Sequence, residues 1–109
     1  MMADERLVIT ESRFLTEFLN QHLDQAEKVY QRAVKADPKD AASLAYYADF
    51  LERCRHDIGQ AEEYYHRAVE AAPQDVYNLR NYAKFLRAVR GNIEKADELE
   101  RRAQSVQGG

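Results

Sequence analysis

The chain has 109 residues, 45% hydrophobic and 32% charged, which is the balance of one globular domain and excludes a disordered or collagen-like polymer. Sixteen Lys and Arg against 19 Asp and Glu give a net charge of −3, so the basic excess typical of proteins that grip nucleic-acid phosphates is missing and no direct nucleic-acid contact is expected. No run approaches the ~20 apolar residues of a membrane helix, Asp4-Glu5-Arg6 interrupts any signal peptide, and the single Cys54 excludes an internal disulfide, so the expected setting is cytoplasmic and reducing.

The first predicted helix covers residues 4–20, where Leu7, Val8, Phe14, Leu15, Phe18 and Leu19 fall on one stripe. A second, carrying Ala26, Tyr30, Ala33 and Val34, runs toward Pro38. The third follows Asp40 as N-cap and covers Ala41–Arg53, with Leu44, Tyr47, Ala48 and Leu51 at i, i+3, i+4 and i+7. Asp57 caps the fourth, whose stripe is Ile58, Ala61, Tyr65, Ala68 and Val69; Pro73 ends it. Asp75 and Asn92 cap two further helices, with Gly91 between them where a left-handed residue costs little.

These elements recur. A shift of 35 residues lays Gln25-Ala26-Glu27 on Gln60-Ala61-Glu62 and Arg32-Ala33-Val34 on Arg67-Ala68-Val69. It also lays Pro38 on Pro73, Leu44 on Leu79, Tyr47-Ala48 on Tyr82-Ala83 and Phe50-Leu51 on Phe85-Leu86. Nearly half of the positions from 25 to 71 match. Recurrence at this period is the mark of a stacked helical array. Ala26, Ala33, Ala61, Ala68, Ala96 and Ala103 recur at i, i+7, where small side chains let two helix backbones approach; Ala48 and Ala83 serve the first helix of each pair in the same way. Tyr47, Tyr65 and Tyr82 are assigned to the core, and each buried hydroxyl then needs a partner.

The pattern resembles the tetratricopeptide repeat family, W-x2-L-G-x2-Y, then A-x3-F, then P. Here the first half reads Leu44-x2-Tyr47-Ala48-x2-Leu51 and Leu79-x2-Tyr82-Ala83-x2-Leu86, and the second half Ala26-x3-Tyr30, then Ala33 and Pro38, and Ala61-x3-Tyr65, then Ala68 and Pro73. The resemblance implies an all-α, right-handed helical-hairpin solenoid of three repeats and six antiparallel helices. The repeats would cover residues 4–38, 39–73 and 74–106, in a single array over 1–109 with a short tail at 107–109. Two departures stand out: Leu replaces Trp, and one extra residue should lengthen the turns near Arg55-His56 and Arg90-Gly91. The first helix fits only in part, with Phe14-Leu15 matching Phe50-Leu51 if one residue is deleted and Ser12 at the small position. At the other end Glu100 and Gln104 replace the apolar Tyr65 and Val69, as in a solvated last helix.

No Walker loop, GxGxxG, HExxH or GxSxG is present, so no enzyme, cofactor or metal is expected. His22, His56 and His66 read as surface residues, and Cys54, between Arg53 and Arg55, as a partly buried structural thiol. Function in such an array comes from the face formed by the first helices of its pairs. The partner-binding candidates are Tyr46, Asp49 and Arg53 on one helix and Tyr77, Arg80, Asn81, Lys84 and Arg87 on the next, with Ala42 and Ala45 beside them. Arg80, Lys84 and Arg87 form one basic stripe at i, i+4, i+7. With the two tyrosines it suits an extended or helical peptide carrying acidic residues; the plainer reading is a solvated face. The family's clamp for chaperone C-terminal carboxylates would fall on Ile9, Arg13, Tyr46, Tyr77 and Asn81, and its Lys and Asn pattern is absent.

The expectation is therefore an adaptor or scaffold for a protein or peptide partner, acting as a monomer or weak homodimer. Two alternatives stand beside it. One is an assembly module acting through self-association or docking of the N-terminal helix, with Phe14 and Phe18 as anchors. The other is a half-repeat scaffold of an RNA-processing complex, suggested by Tyr30-Gln31-Arg32-Ala33 and Tyr65-His66-Arg67-Ala68.

Overall fold

The computed structural model describes the backbone of residues 5–108 and the side chains of 13–108. Five α-helices follow one another: α1 Glu5–Ala36, α2 Ala41–Phe50, α3 Ile58–Ala71, α4 Val76–Phe85 and α5 Ile93–Gly108. The chain is all-α, and each helix packs antiparallel on its neighbours in sequence.

Six helices were expected, and the difference lies in α1. Its 32 residues run without a break through the place where a turn between two helices was predicted. The physical reason is local. Asn20-Gln21-His22-Leu23-Asp24 contains neither Gly nor Pro, and nothing there removes a backbone hydrogen bond or forces positive φ. Residues 5–36 are therefore one helix and not a hairpin. The helical backbone from residue 5 onward agrees with the reading of an N-terminal helix; the side chains of Leu7, Val8, Ile9 and Ser12 lie outside the described residues. At the other end α5 extends to Gly108.

The other boundaries follow from the residues named in the sequence. Asp57 Oδ1 accepts from the Gln60 N–H at 3.2 Å, Asp75 Oδ1 from the Asn78 N–H at 3.1 Å, and Asn92 Oδ1 from the Lys95 N–H at 3.2 Å. Each satisfies one orphan donor at a helix start. Asp40 is an N-cap through its backbone alone; its carboxylate accepts instead from the Ser43 hydroxyl at 2.7 Å.

The ends of α2 and α4 share an uncommon feature. Both widen into a π-helical turn, Leu51–Arg55 and Leu86–Arg90. The Asp57 N–H reaches back to the Leu51 carbonyl at 3.0 Å, and the Asn92 N–H to that of Leu86 at 2.9 Å. Each turn closes on a left-handed residue, His56 at φ 56° and Gly91 at φ 67°. The added length expected near Arg55 and Arg90 is thus taken up inside the helix's last turn rather than as loop.

The core is a row of small residues flanked by rings. Ala48, Ala61, Ala83, Ala96 and Ala103 are fully buried, as are Leu79 and Leu86. Tyr30 stacks on Tyr47 with centroids 6.0 Å apart, and Tyr65 on Tyr82 at 6.2 Å. Tyr30 meets Phe50 at 5.2 Å, and Tyr65 meets Phe85 at 5.0 Å. Burying each such ring stabilises the fold by roughly 2 kcal/mol. Polar links recur at the same interval. Tyr47 Oη donates to Glu27 at 2.8 Å, and Arg55 Nε to the same carboxylate at 2.8 Å while a second nitrogen pairs with Asp24. Thirty-five residues on, Tyr82 Oη lies 3.4 Å from Glu62 and Arg90 Nε donates to Glu62 at 2.6 Å.

Cys54 departs from expectation: it sits exposed in the π-helical turn, not partly buried. The widened turn presents it outward, while its neighbour Leu51 takes the buried face. Among the described residues, no helix is long and apolar enough to cross a membrane.

Candidate functional site

Between α2 and α4 lies a depression of about 200 Å³, lined by Ala45, Tyr46, Asp49, Arg53, Tyr77 and Asn81. Periodicity explains its composition. Leu44, Tyr47, Ala48 and Leu51 turn into the core, so Ala45, Tyr46, Asp49 and Arg53 are left on the other side of the same helix. On α4 the same argument leaves Tyr77 and Asn81 outside once Leu79, Tyr82 and Ala83 are buried. Tyr46 is 60% exposed and Tyr77 65%, so two aromatic rings stand at the rim with no intramolecular packing to hide them. Asp49 and Arg53 form an i, i+4 pair at 2.8 Å along the α2 wall.

The depression continues into a smaller hollow of about 70 Å³. It is bordered by Asp49, Glu52, Arg53, Tyr65, Asn81, Lys84, Phe85 and Ala88. Tyr65 donates its hydroxyl to Glu52 at 2.8 Å beneath this hollow. Burial, with the Glu52 carboxylate adding to it, pushes the Tyr65 phenol well above its ordinary value. The floor therefore stays neutral and a hydrogen-bond donor. The charge on the walls comes from Arg53 and Lys84 against Asp49 and Glu52.

Six of the eight expected site residues thus converge: Tyr46, Asp49, Arg53, Tyr77, Asn81 and Lys84. The basic stripe does not act as a unit. Arg80 turns to α5, donating to Gln107 at 2.6 Å and lying 3.8 Å from Glu100. Arg87 also turns to α5 and pairs with Asp97 at 2.5 Å. Of the three, Lys84 alone borders the groove. Ala42 is exposed outside both hollows, whereas Ala45 is buried at the floor. Glu52, Tyr65 and Ala88 border the groove and were not anticipated as site residues. Tyr65 was assigned to the core by its ring, and the ring alone carries no sign of where the hydroxyl emerges.

A larger cavity, about 340 Å³, opens between α3 and α5, with Val69, Tyr82, Leu99 and Arg102 among its walls. Thirty-five residues earlier the corresponding space is partly occupied by a ring. There Tyr64 packs on Tyr47 at 4.6 Å, and the Arg67 guanidinium covers Tyr64 at 4.8 Å. Leu99, standing where Tyr64 stands, is smaller and leaves the space open. Lys95 partly closes it by reaching the Tyr82 hydroxyl at 3.2 Å.

The three histidines are exposed, and His66 pairs with Glu70 at 2.9 Å. Among the described residues, no three His, Cys, Asp or Glu side chains are placed to hold a metal ion. Compared with known proteins, the chain matches no family model and no curated protein.

Proposed function

We propose that this chain is an interaction module that holds a segment of a protein partner in the α2–α4 groove. The observation that carries this reading is the pair of unpacked tyrosines, Tyr46 and Tyr77, at the rim of one depression. Rings of this kind supply large contact area at little entropic cost, and such residues dominate binding energy where they pack against a ligand. Lys84 and Arg53 favour acidic residues in the ligand, while the Asp49–Arg53 pair limits that preference to part of the groove. The finer reading of the architecture, a tetratricopeptide-like stack, belongs to the same proposal. Its support is the recurrence of ring stacks, carboxylate links and π-helical turns at 35 residues.

The test is capture of partners from nuclease-treated cell extract by the chain and by three variants. Tyr46→Ala/Tyr77→Ala and Lys84→Glu alter the groove; Arg101→Glu, on exposed α5 surface, controls for charge. Proteins that bind through the groove should be lost from the first two and kept by the third. Purified partners should then bind the double tyrosine variant at least about tenfold more weakly. Equal capture by all four proteins would refute the groove as the working surface.

A further inference from the structure

Residues 13–20 of α1 are all exposed, and they carry an uncovered apolar face. Phe14 is 66% exposed, Leu15 57%, Phe18 47% and Leu19 58%. Among the described residues, the ring contacts of Phe14 and Phe18 run along their own helix: the two rings are 6.5 Å apart, and Phe18 meets His22 at 4.2 Å. The C-terminal half of the same helix has a complementary defect. Ala61 and Ala68 on α3, and Ala96 and Ala103 on α5, are buried to 1% or less. In both cases the preceding helix lies antiparallel across them. The corresponding Ala26 and Ala33 of α1 are only half-buried, with Leu23 and Tyr30 in the same condition and Val29 exposed at 63%. The helix that should cover them would be residues 5–20, and those residues continue straight on.

The two surfaces cannot meet within one copy. Phe14 and Ala26 are twelve residues apart on a straight helix, about 18 Å along its axis. We propose that a second copy of this chain supplies the cover, by exchange of the α1 arms. Two α1 helices lie antiparallel about a two-fold axis near Asn20–Gln21, the midpoint of the helix. The Phe14-Leu15-Phe18-Leu19 face of each then rests on Leu23 and Ala26 of the other, and the helical segment 8–11 passes over Tyr30 and Ala33. One two-fold contact covers both defects in both copies and leaves nothing over for a third. The template is internal: α2 on α3 and α4 on α5 already show how such a pair packs, with Phe50-Leu51 and Phe85-Leu86 in the places of Phe14-Leu15. The exchange follows from the missing break at residues 20–24. A chain that turned there would close on itself; one that stays helical must borrow the arm of a neighbour.

The experiment measures mass in solution by light scattering and sedimentation over a dilution series. The chain should appear at twice its 12.7 kDa and dissociate only on dilution. Phe14→Glu/Phe18→Glu should be monomeric at every concentration, with helix content checked by circular dichroism. Asn20→Gly/Gln21→Gly is the decisive variant. By permitting a turn it should let the arm fold onto its own chain, shifting the dissociation midpoint at least tenfold upward in concentration. A dimer that survives the glycine pair unchanged would mean arm-to-arm sticking without exchange, and a native chain monomeric throughout would overturn the proposal outright.

Discussion

Tyr47 is 2% exposed, yet its hydroxyl finds Glu27, and Tyr65 and Tyr82 find Glu52 and Glu62 in the same way. Burial first, and the Glu27 carboxylate second, raise the Tyr47 phenol from 10.0 to about 12; burial raises Tyr65 and Tyr82 too. The unfolded chain therefore ionises before the folded one. Stability from these groups is intact below pH 10, falls as pH rises past it, and for Tyr47 is lost through about 12. Urea unfolding across that range should show the decline, and Tyr47→Phe should flatten it. Asn78 illustrates the opposite condition. It is 4% exposed and its side-chain N–H group has no partner. Ser43, 35 residues earlier, donates to Asp40 at 2.7 Å. Asn78→Ser should restore that bond to Asp75 and raise stability by about 1 kcal/mol, seen as a higher melting temperature. Capping residues such as Asp57 and Asn92 were legible in the sequence, because a cap acts within three residues of itself. The fates of Arg80 and Arg87 were not, because the stripe describes one helix face and says nothing of the acids α5 brings against it.

At the scale of the helix, α3 and α5 depend on close backbone approach, and α1 does not. Ala68→Leu should overpack the α2–α3 contact and cost roughly 1–3 kcal/mol, since Ala68 is 1% exposed. Ala33→Leu, at a half-buried site, should cost less than about 1 kcal/mol under conditions where the chain is monomeric. Denaturant midpoints of the two variants check the ranking. Four of the five helices could be placed from sequence, because Asp40, Asp57, Pro73, Asp75 and Gly91 each change backbone geometry locally. The division of α1 had no such residue behind it: the period implied a turn that Asn20–Asp24 do not make. The link from Glu27 to Arg55 was available in principle. Glu62 and Arg90 repeat both members at the same interval, and a charged pair conserved in spacing across two copies of a pattern is a contact signal.

The whole molecule is elongated, 66 × 32 × 22 Å, and its helices contact their neighbours in chain order. The position of the groove was legible for that reason: faces not needed by the next helix must look outward, and Tyr46 and Tyr77 do. Its charge was not, because that depends on which cations α5 consumes. The same neighbour-to-neighbour order governs how the chain reaches its structure. No distant segment has to be gathered before the first helix pair can close, so the loop entropy at each step is small. A chain emerging from the ribosome can complete α2 with α3 before α5 has been synthesised, and it is exposed to misassembly for correspondingly little time.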